Sequence, residues 1–293
     1  MTAPRCSVVA DAAGDAREGT APPADRWFLI EHPGPWGRVA YAQSGLAPEV
    51  VSAVDGWART HGGRVLLIRR PGRSGASRAR RWFRIDSRAG HESVRTGTFV
   101  SGSELLAALD AAGESHGPLH LVCAHGRHDT CCAVRGRPLA AALAAVDPAR
   151  TWECSHIGGC RFAPALVLLP HGFTFGGVPA VDAVGVVADY DVGRVDPRWL
   201  RGRTSCPPAV QAAQHHARAA TGAFGVDALR VVGLSSDAVR WRVELTDPGC
   251  VVELDERRVE AGRPLTCAAV APGWMRVFDL VSLTTGARPR SPA

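Results

Sequence analysis

Lysine is absent from all 293 residues, so arginine alone carries the basic charge behind the net +6. Together with heavy alanine, glycine and valine use, this is the mark of a coding-sequence bias, and the charge does not by itself require nucleic acid as a partner. Long apolar runs are missing too: the longest, such as residues 163–170, fall far below the ~18 residues of a membrane span. Residues 1–25 lack the continuous apolar stretch of an export signal, because Asp11, Asp15 and Glu18 interrupt it. The expectation is a cytoplasmic protein without membrane association. In that compartment structural disulfides are disfavoured, and nine cysteines is an odd count, so the thiols read as metal ligands, redox groups or core residues. There is no Cys-x-x-Cys pair, nucleophile elbow, P-loop or convincing dinucleotide fingerprint. Paired carboxylates at the separation that glycoside hydrolysis needs cannot be placed.

An apolar fraction of 46% and a charged fraction of 21% are those of a globular chain, and the length suffices for more than one packing unit. Residues 1–25, rich in Ala, Gly, Pro and Asp, read as a disordered lead-in. An α/β unit over residues 26–115 follows, with helices expected at Pro48–Thr60 and from Ser101 to Gly113 and strands at Arg64–Arg69 and Arg81–Ile85. Residues 116–222 form a second unit: strand Leu119–Val122, helix Arg137–Val146 with Pro138 in its first turn, strand Thr151–Glu153, a hairpin of Ala165–Leu169 and Phe173–Gly177, and helix Pro207–Gly222. Its order of strand, Cys loop, helix, strand, ligand loop and hairpin is that of a thioredoxin-like mixed sheet. The first unit shares this vocabulary and is a possible degenerate copy. Residues 223–293 alternate with period two and read as β-rich. The densest basic run, Arg69 to Arg81, reads as a solvated loop.

The chemistry is concentrated in two segments, Cys123-Ala-His-Gly-Arg-His-Asp-Thr-Cys131-Cys132 and Cys154-Ser-His156-Ile-Gly-Gly-Cys160. Soft ligands in two spaced groups, each in a glycine-containing turn, are what an iron–sulfur cluster or a zinc ion requires. Gly158 and Gly159 allow the backbone to turn tightly and approach an inorganic core without a Cβ clash. Cys131 competes with Cys132; neighbours in an extended loop face opposite ways, so one of them is expected to face the ligand. Cys154 reads as a buried thiol, and Cys6, Cys206, Cys250 and Cys267 as isolated cysteines. His125 and His128 are expected to hydrogen-bond cluster sulfurs, Arg127 to pair with Asp129, and Arg161 to soften the negative charge at Cys160.

These motifs, with the Leu-Pro-His-Gly that ends at Gly172, Arg201-Gly-Arg203 and the helix from Pro208 to Arg218, resemble the sucrase/ferredoxin-like family over roughly residues 26–220. The resemblance implies a thioredoxin-like 2Fe–2S ferredoxin domain with a Cys-x8-Cys pair and a His-x3-His pair. Carried over, Cys123, Cys132 and His156 match, while Cys160 stands where the family has its second histidine. The implied ligand set for a 2Fe–2S cluster is therefore Cys123, Cys132, His156 and Cys160. A thiolate in place of an imidazole makes the site more negative, so the potential is expected between those of plant-type ferredoxins and Rieske centres. His156 would couple reduction to protonation if its second ring nitrogen reaches solvent.

The expected function is electron transfer, served by a reductase or other redox partner protein, rather than stand-alone catalysis. Two alternatives remain: a structural zinc site on the same ligands, although the Cys123–Cys132 gap is longer than a zinc knuckle, and a thiol-redox protein, which would want Cys-x-x-Cys rather than the vicinal Cys131-Cys132 pair.

Overall fold

The computed structural model describes residues 4–72 and 78–286. The N-terminal segment forms α1 (Cys6–Ala12). A first half comprises β1 (Arg26–Glu31), α2 (Pro48–Thr60), β2 (Gly63–Arg69), β3 (Arg80–Asp86), β4 (Ser93–Phe99), α3 (Gly102–Ala107) and β5 (Glu114–Ser115). The second comprises β6 (Leu119–Cys123), α4 (Thr130–Val146), β7 (Thr151–Cys154), a 3-10 turn at Cys160–Phe162, β8 (Ala165–Leu169), β9 (Phe173–Gly176), α5 (Ala183–Asp191) and β10 (Leu200–Arg203). Then α6 (Pro208–Thr221) leads into β11 (Arg230–Asp237), β12 (Arg240–Thr246), β13 (Cys250–Glu260) and β14 (Trp274–Thr285).

The strands form a ten-stranded mixed sheet, ordered β10-β9-β8-β6-β7-β2-β1-β3-β4-β5, and a separate antiparallel sheet β11-β12-β13-β14. The large sheet holds the same pattern twice. In each half a parallel β–α–β unit, β1–α2–β2 or β6–α4–β7, gains an antiparallel strand beside its first strand. A further antiparallel strand then follows, β4 beside β3 and β9 beside β8. The halves meet where β2 pairs antiparallel with β7, Ile68 opposite Cys154 and Arg69 opposite Glu153.

Period-two alternation explains the two faces. In β1, Phe28 and Ile30 pack with Val50, Val54 and Trp57 of α2, while Trp27 and Leu29 join the cluster on the opposite face. In β6, Val122 packs with Leu139, Ala140 and Leu143 of α4. Leu119, Leu121 and Cys123 point into the opposite cluster, with Cys132, Ile157 and Cys160. The Cys123 side chain thus faces away from the helical layer. Among the described residues, no helix is long and apolar enough to cross a membrane.

Several expectations need correcting. Residues 4–25 of the expected lead-in are structured: α1 buries Cys6, Ser7 and Ala10 and packs against the turn carrying Cys160. Small apolar side chains bury readily in such a contact, which composition alone undervalues. Helix α4 starts at Thr130 rather than Arg137, because Asp129 caps it and accepts the Cys131 N–H at 2.9 Å. Pro138 lies in its interior. Helix α3 is shorter than expected and is capped by Ser101, whose side chain accepts the Glu104 N–H. Helix α6, at the end of the expected 116–222 unit, bridges the two sheets: its Gln211 donates to the Arg203 carbonyl of β10 at 3.2 Å, while Ala209, Ala213 and Ala217 pack with Val243, Leu245 and Val252 of the C-terminal sheet. In the basic run, residues 73–77 lie outside the described ones. Arg69 pairs with Glu153 at 2.8 Å, and Arg70 stacks over Trp152 and donates to the Thr151 carbonyl at 3.1 Å.

Candidate metal centre

Two connections at the same end of the sheet build the site. The first leaves β6 at Cys123 and reaches the capped N-terminus of α4, so Cys132 sits in the first helical turn, beside the end of the strand. The second leaves β7 at Cys154 and turns through Gly158 and Gly159, with φ of +98° and +76°, to present Cys160. Glycine is required here on two counts: both residues occupy the left-handed region, and a Cβ on Gly159 would lie 2.5 Å from Arg201 Nη2. Arg201, fully buried in β10, donates to the Gly158 carbonyl at 3.0 Å and to Thr20 Oγ1 at 3.0 Å. It also donates to the Thr20 carbonyl. Burial first, then the neighbouring Arg161 and Arg64, lower it to about 9, which still leaves a cation beneath the turn at neutral pH.

The structure brings the four sequence-derived candidates together. His156 Nδ1 lies 3.9 Å from Cys123 Sγ, 3.7 Å from Cys132 Sγ and 3.8 Å from Cys160 Sγ, and its Nε2 is 3.7 Å from Cys160 Sγ. Cys123, Cys132 and His156 form one group able to hold an ion; His128, His156 and Cys160 form a second, and Asp129, Cys132 and Cys160 a third. Cys154 belongs to none of these groups. It pairs with Cys123 across the parallel strands and is fully buried.

The thiols polarise one another. The neighbouring Cys123 and Cys160 sulfurs, together with burial, push the Cys132 thiol up. The neighbouring Cys132 thiol, with His156 in support, holds Cys123 well below the ordinary thiol range. Cys160 falls to about 7 by the same cause. Burial works against protonation of His156, but the Cys123 and Cys160 sulfurs outweigh it and raise the ring to about 9. The Ile157 N–H also hydrogen-bonds to Cys123 sulfur. The lowered thiols of Cys123 and Cys160 are suited to metal binding, whereas Cys132 and the His156 ring must give up protons when an ion enters.

His125 and His128 serve the site differently from what the sequence suggested. His125 Nε2 donates to the Gly37 carbonyl at 2.7 Å, and its Nδ1 accepts the His156 N–H at 3.3 Å. His128 stacks on the His156 ring, centroids 3.8 Å apart. Both therefore hold His156 and its backbone in place. Asp129 caps α4 instead of pairing with Arg127, and Arg161 pairs with Asp15 at 3.2 Å beside the Cys160 turn. Sequence reasoning missed Trp36, whose ring meets His125 edge-on at 5.7 Å, and gave Arg201 no role. An Asp immediately before Thr-Cys-Cys was the available signal for the helix cap.

The family model for sucrase/ferredoxin-like proteins matches residues 18–202. The chain belongs to the sucrase/ferredoxin-like family. The match takes in Thr20 and both cysteine-bearing connections and ends after Arg201, so α6 and the C-terminal sheet lie beyond it. No curated protein and no solved structure matches the chain.

Proposed function

We propose that Cys123, Cys132, His156 and Cys160 hold a 2Fe–2S cluster and that the protein is a one-electron carrier served by a reductase or other redox partner protein. When bound, such a cluster supplies reversible one-electron storage. The observation that carries the reading is the convergence of three thiols and one imidazole from two connections at one sheet end, in a chain of this family. The donor set fits: the thiols are soft ligands, the Ile157 N–H is aimed at Cys123 sulfur, and the glycine turn brings backbone close without side chains in the way. Arg201 supplies positive charge beneath the site, and His125 and His128 fix the imidazole. The expected site is one in which Cys160 makes the ligand set more negative than a two-histidine set.

A single zinc ion is the second reading, and one observation favours it. Two ligands on one tetrahedral zinc stand roughly 3.5–3.8 Å apart, close to the 3.7–3.9 Å between His156 Nδ1 and the three sulfurs. Ligands on opposite irons stand further apart than that, so the cluster requires the side chains to spread.

Anaerobic purification decides between them. The cluster predicts coloured protein with iron and sulfide at about two of each per chain, bleached by dithionite, with an EPR signal in the reduced state that Cys132→Ala and Cys160→Ala abolish or alter. Colourless protein carrying stoichiometric zinc at these residues rejects it. With the cluster present, Cys160→His raises the reduction potential, because a neutral imidazole then replaces a thiolate.

A further inference from the structure

Cys131 is left over by the site just described. It neighbours Cys132 in the first turn of α4, but successive helical residues lie ~100° apart around the axis, and its sulfur faces a different set of partners. Cys131 Sγ lies 3.3 Å from Cys267 Sγ and 3.6 Å from Cys6 Sγ, and Cys267 Sγ lies 3.5 Å from Cys6 Sγ. None of the three is in a disulfide. Asp129 closes the group: its carboxylate oxygens are 3.8 and 3.9 Å from Cys6 Sγ, and all four ligand atoms lie within 4.8 Å of one another. The sequence offers no hint of this, since Cys6 comes from α1 and Cys267 from the β13–β14 connection.

We propose that Cys6, Cys131, Cys267 and Asp129 bind a zinc ion as a second metal centre. Three thiolates on tetrahedral zinc, with Zn–S near ~2.3 Å, stand about 3.8 Å apart, so the observed sulfur triangle needs a small expansion to admit the ion. The carboxylate is already oriented: Asp129 accepts the Cys131 N–H at 2.9 Å and the Cys267 N–H at 2.8 Å, which leaves lone pairs for a metal. Cys267 is exposed, and a cavity of 280 Å³ lined by Pro4, Cys6, Val9, Arg263 and Cys267 gives an ion its approach. Binding displaces thiol protons to solvent and requires no oxidant. The ion would join α1, the N-terminus of α4 and the β13–β14 connection, which already meet through the Arg135–Asp11 pair at 2.8 Å and the Arg263–Asp15 pair. Asp129 also belongs to the group with Cys132 and Cys160, so the clamp would stiffen the turn that carries the first centre. It does not depend on the first centre holding iron.

The test is metal content and affinity of the full chain, kept reduced with a non-chelating phosphine. Wild type is compared with Cys267→Ser, whose exposed position spares the core, and with Cys6→Ser. The expected result is that each variant carries one zinc fewer than wild type while the metal at Cys123 and Cys160 is retained. Zinc affinity in Cys267→Ser falls by more than the ~10–100-fold that outer-shell changes cost. Cobalt substitution gives thiolate-to-cobalt charge-transfer absorption in wild type, weakened in Cys267→Ser. Equal zinc content in wild type and Cys267→Ser overturns the proposal, as does reduced wild type that binds no zinc beyond the first centre. If the first centre is itself zinc, the count runs from two to one; if it is a cluster, from one to none. Failure of one reading is thus separable from failure of the other.

Discussion

The two halves of the large sheet share a strand order, but no cysteine falls between residues 26 and 115, while the other half carries every candidate ligand of the first centre. The difference lies in the connection after the first strand. Between β6 and α4 it is short, and the Asp129 cap starts the helix beside the strand end, which sets Cys132 next to Cys123. Between β1 and α2 it runs through residues 32–47, and it crosses to the other half, where Gly37 and Arg38 carbonyls meet His125 and His128. The side chain of Ser155, beyond β7, in turn accepts the Leu67 N–H at 3.1 Å. One half gathers the candidate ligands; the other forms the wall that holds that half's histidines.

The comparison breaks most visibly at one glycine in each helix. A Cβ on Gly136 of α4 would run into the Cys123 carbonyl oxygen, a backbone atom that cannot step aside. On Gly56 of α2, a Cβ meets nothing nearer than Arg59 Nη2 at 4.0 Å. Gly136→Ala is therefore expected to cost about 3 kcal/mol or more and to prise Cys132 from Cys123. Gly56→Ala is expected to stabilise by ~0.5–1 kcal/mol, through helix propensity. Denaturant unfolding of both variants, with metal content measured alongside, checks the contrast. Equal effects would mean that α4 does not lie as close to its strand as described.

A second contrast concerns pH. His120 in β6 is fully buried and neither ring nitrogen has a hydrogen-bond partner. Burial, with the nearby Arg150 charge, pushes it down to about 4. Because the folded pKa is below the unfolded one of about 6.5, the unfolded chain takes up the proton first as pH falls. Stability is fully present above pH ~6.5 and is lost towards pH ~4, by about 3 kcal/mol in all. His120→Leu should flatten this acid limb. In wild type, unfolding free energy that stays level from pH 7 to pH 4.5 would rule out a buried neutral ring.

Much of this was legible in the sequence, and the illegible part has physical causes. Short apolar runs located β2 and β6, period-two alternation located β3, a glycine-turn hairpin located β8 and β9, and the Pro48–Thr60 periodicity marked α2 to the residue. The four clustered ligand candidates were visible because they lie in two short segments. Helix α4 was misplaced because Pro138 looked like a start, whereas the Asp129 cap decides it. Cys6, Cys131 and Cys267 were invisible as a group, since only tertiary folding brings them together. The supporting role of Trp36 was hidden for the same reason.

Arg201 sharpens the comparison from beneath the site. It is buried, and it satisfies the carbonyls of Gly158 and Thr20. Arg201→Met keeps the length and removes the donors, leaving those carbonyls unpaired at a cost of about 2 kcal/mol. It also removes a cation from beside the Cys123 and Cys160 thiolates. The expected outcome is a modest loss of stability together with faster metal release to a chelator. Unchanged release would show that the glycine turn holds its shape without the guanidinium.

The smallest effect is expected where the two halves touch through rings. His128 stacks on His156 with an interplanar angle of 15°, and the Arg38 carbonyl of the long connection lies 3.4 Å from its Nδ1. His128→Ala removes a stacking partner of the kind worth ~0.5–1.5 kcal/mol, without removing any of Cys123, Cys132, His156 and Cys160. Stability should therefore drop by under about 1 kcal/mol, while metal content is retained and release to a chelator quickens slightly. His128 also lies in a group with His156 and Cys160, so the same variant tests a direct role. Complete loss of metal from His128→Ala would make it a ligand, and would move the binding site from β6 and β7 towards the connection that the ligand-free half supports.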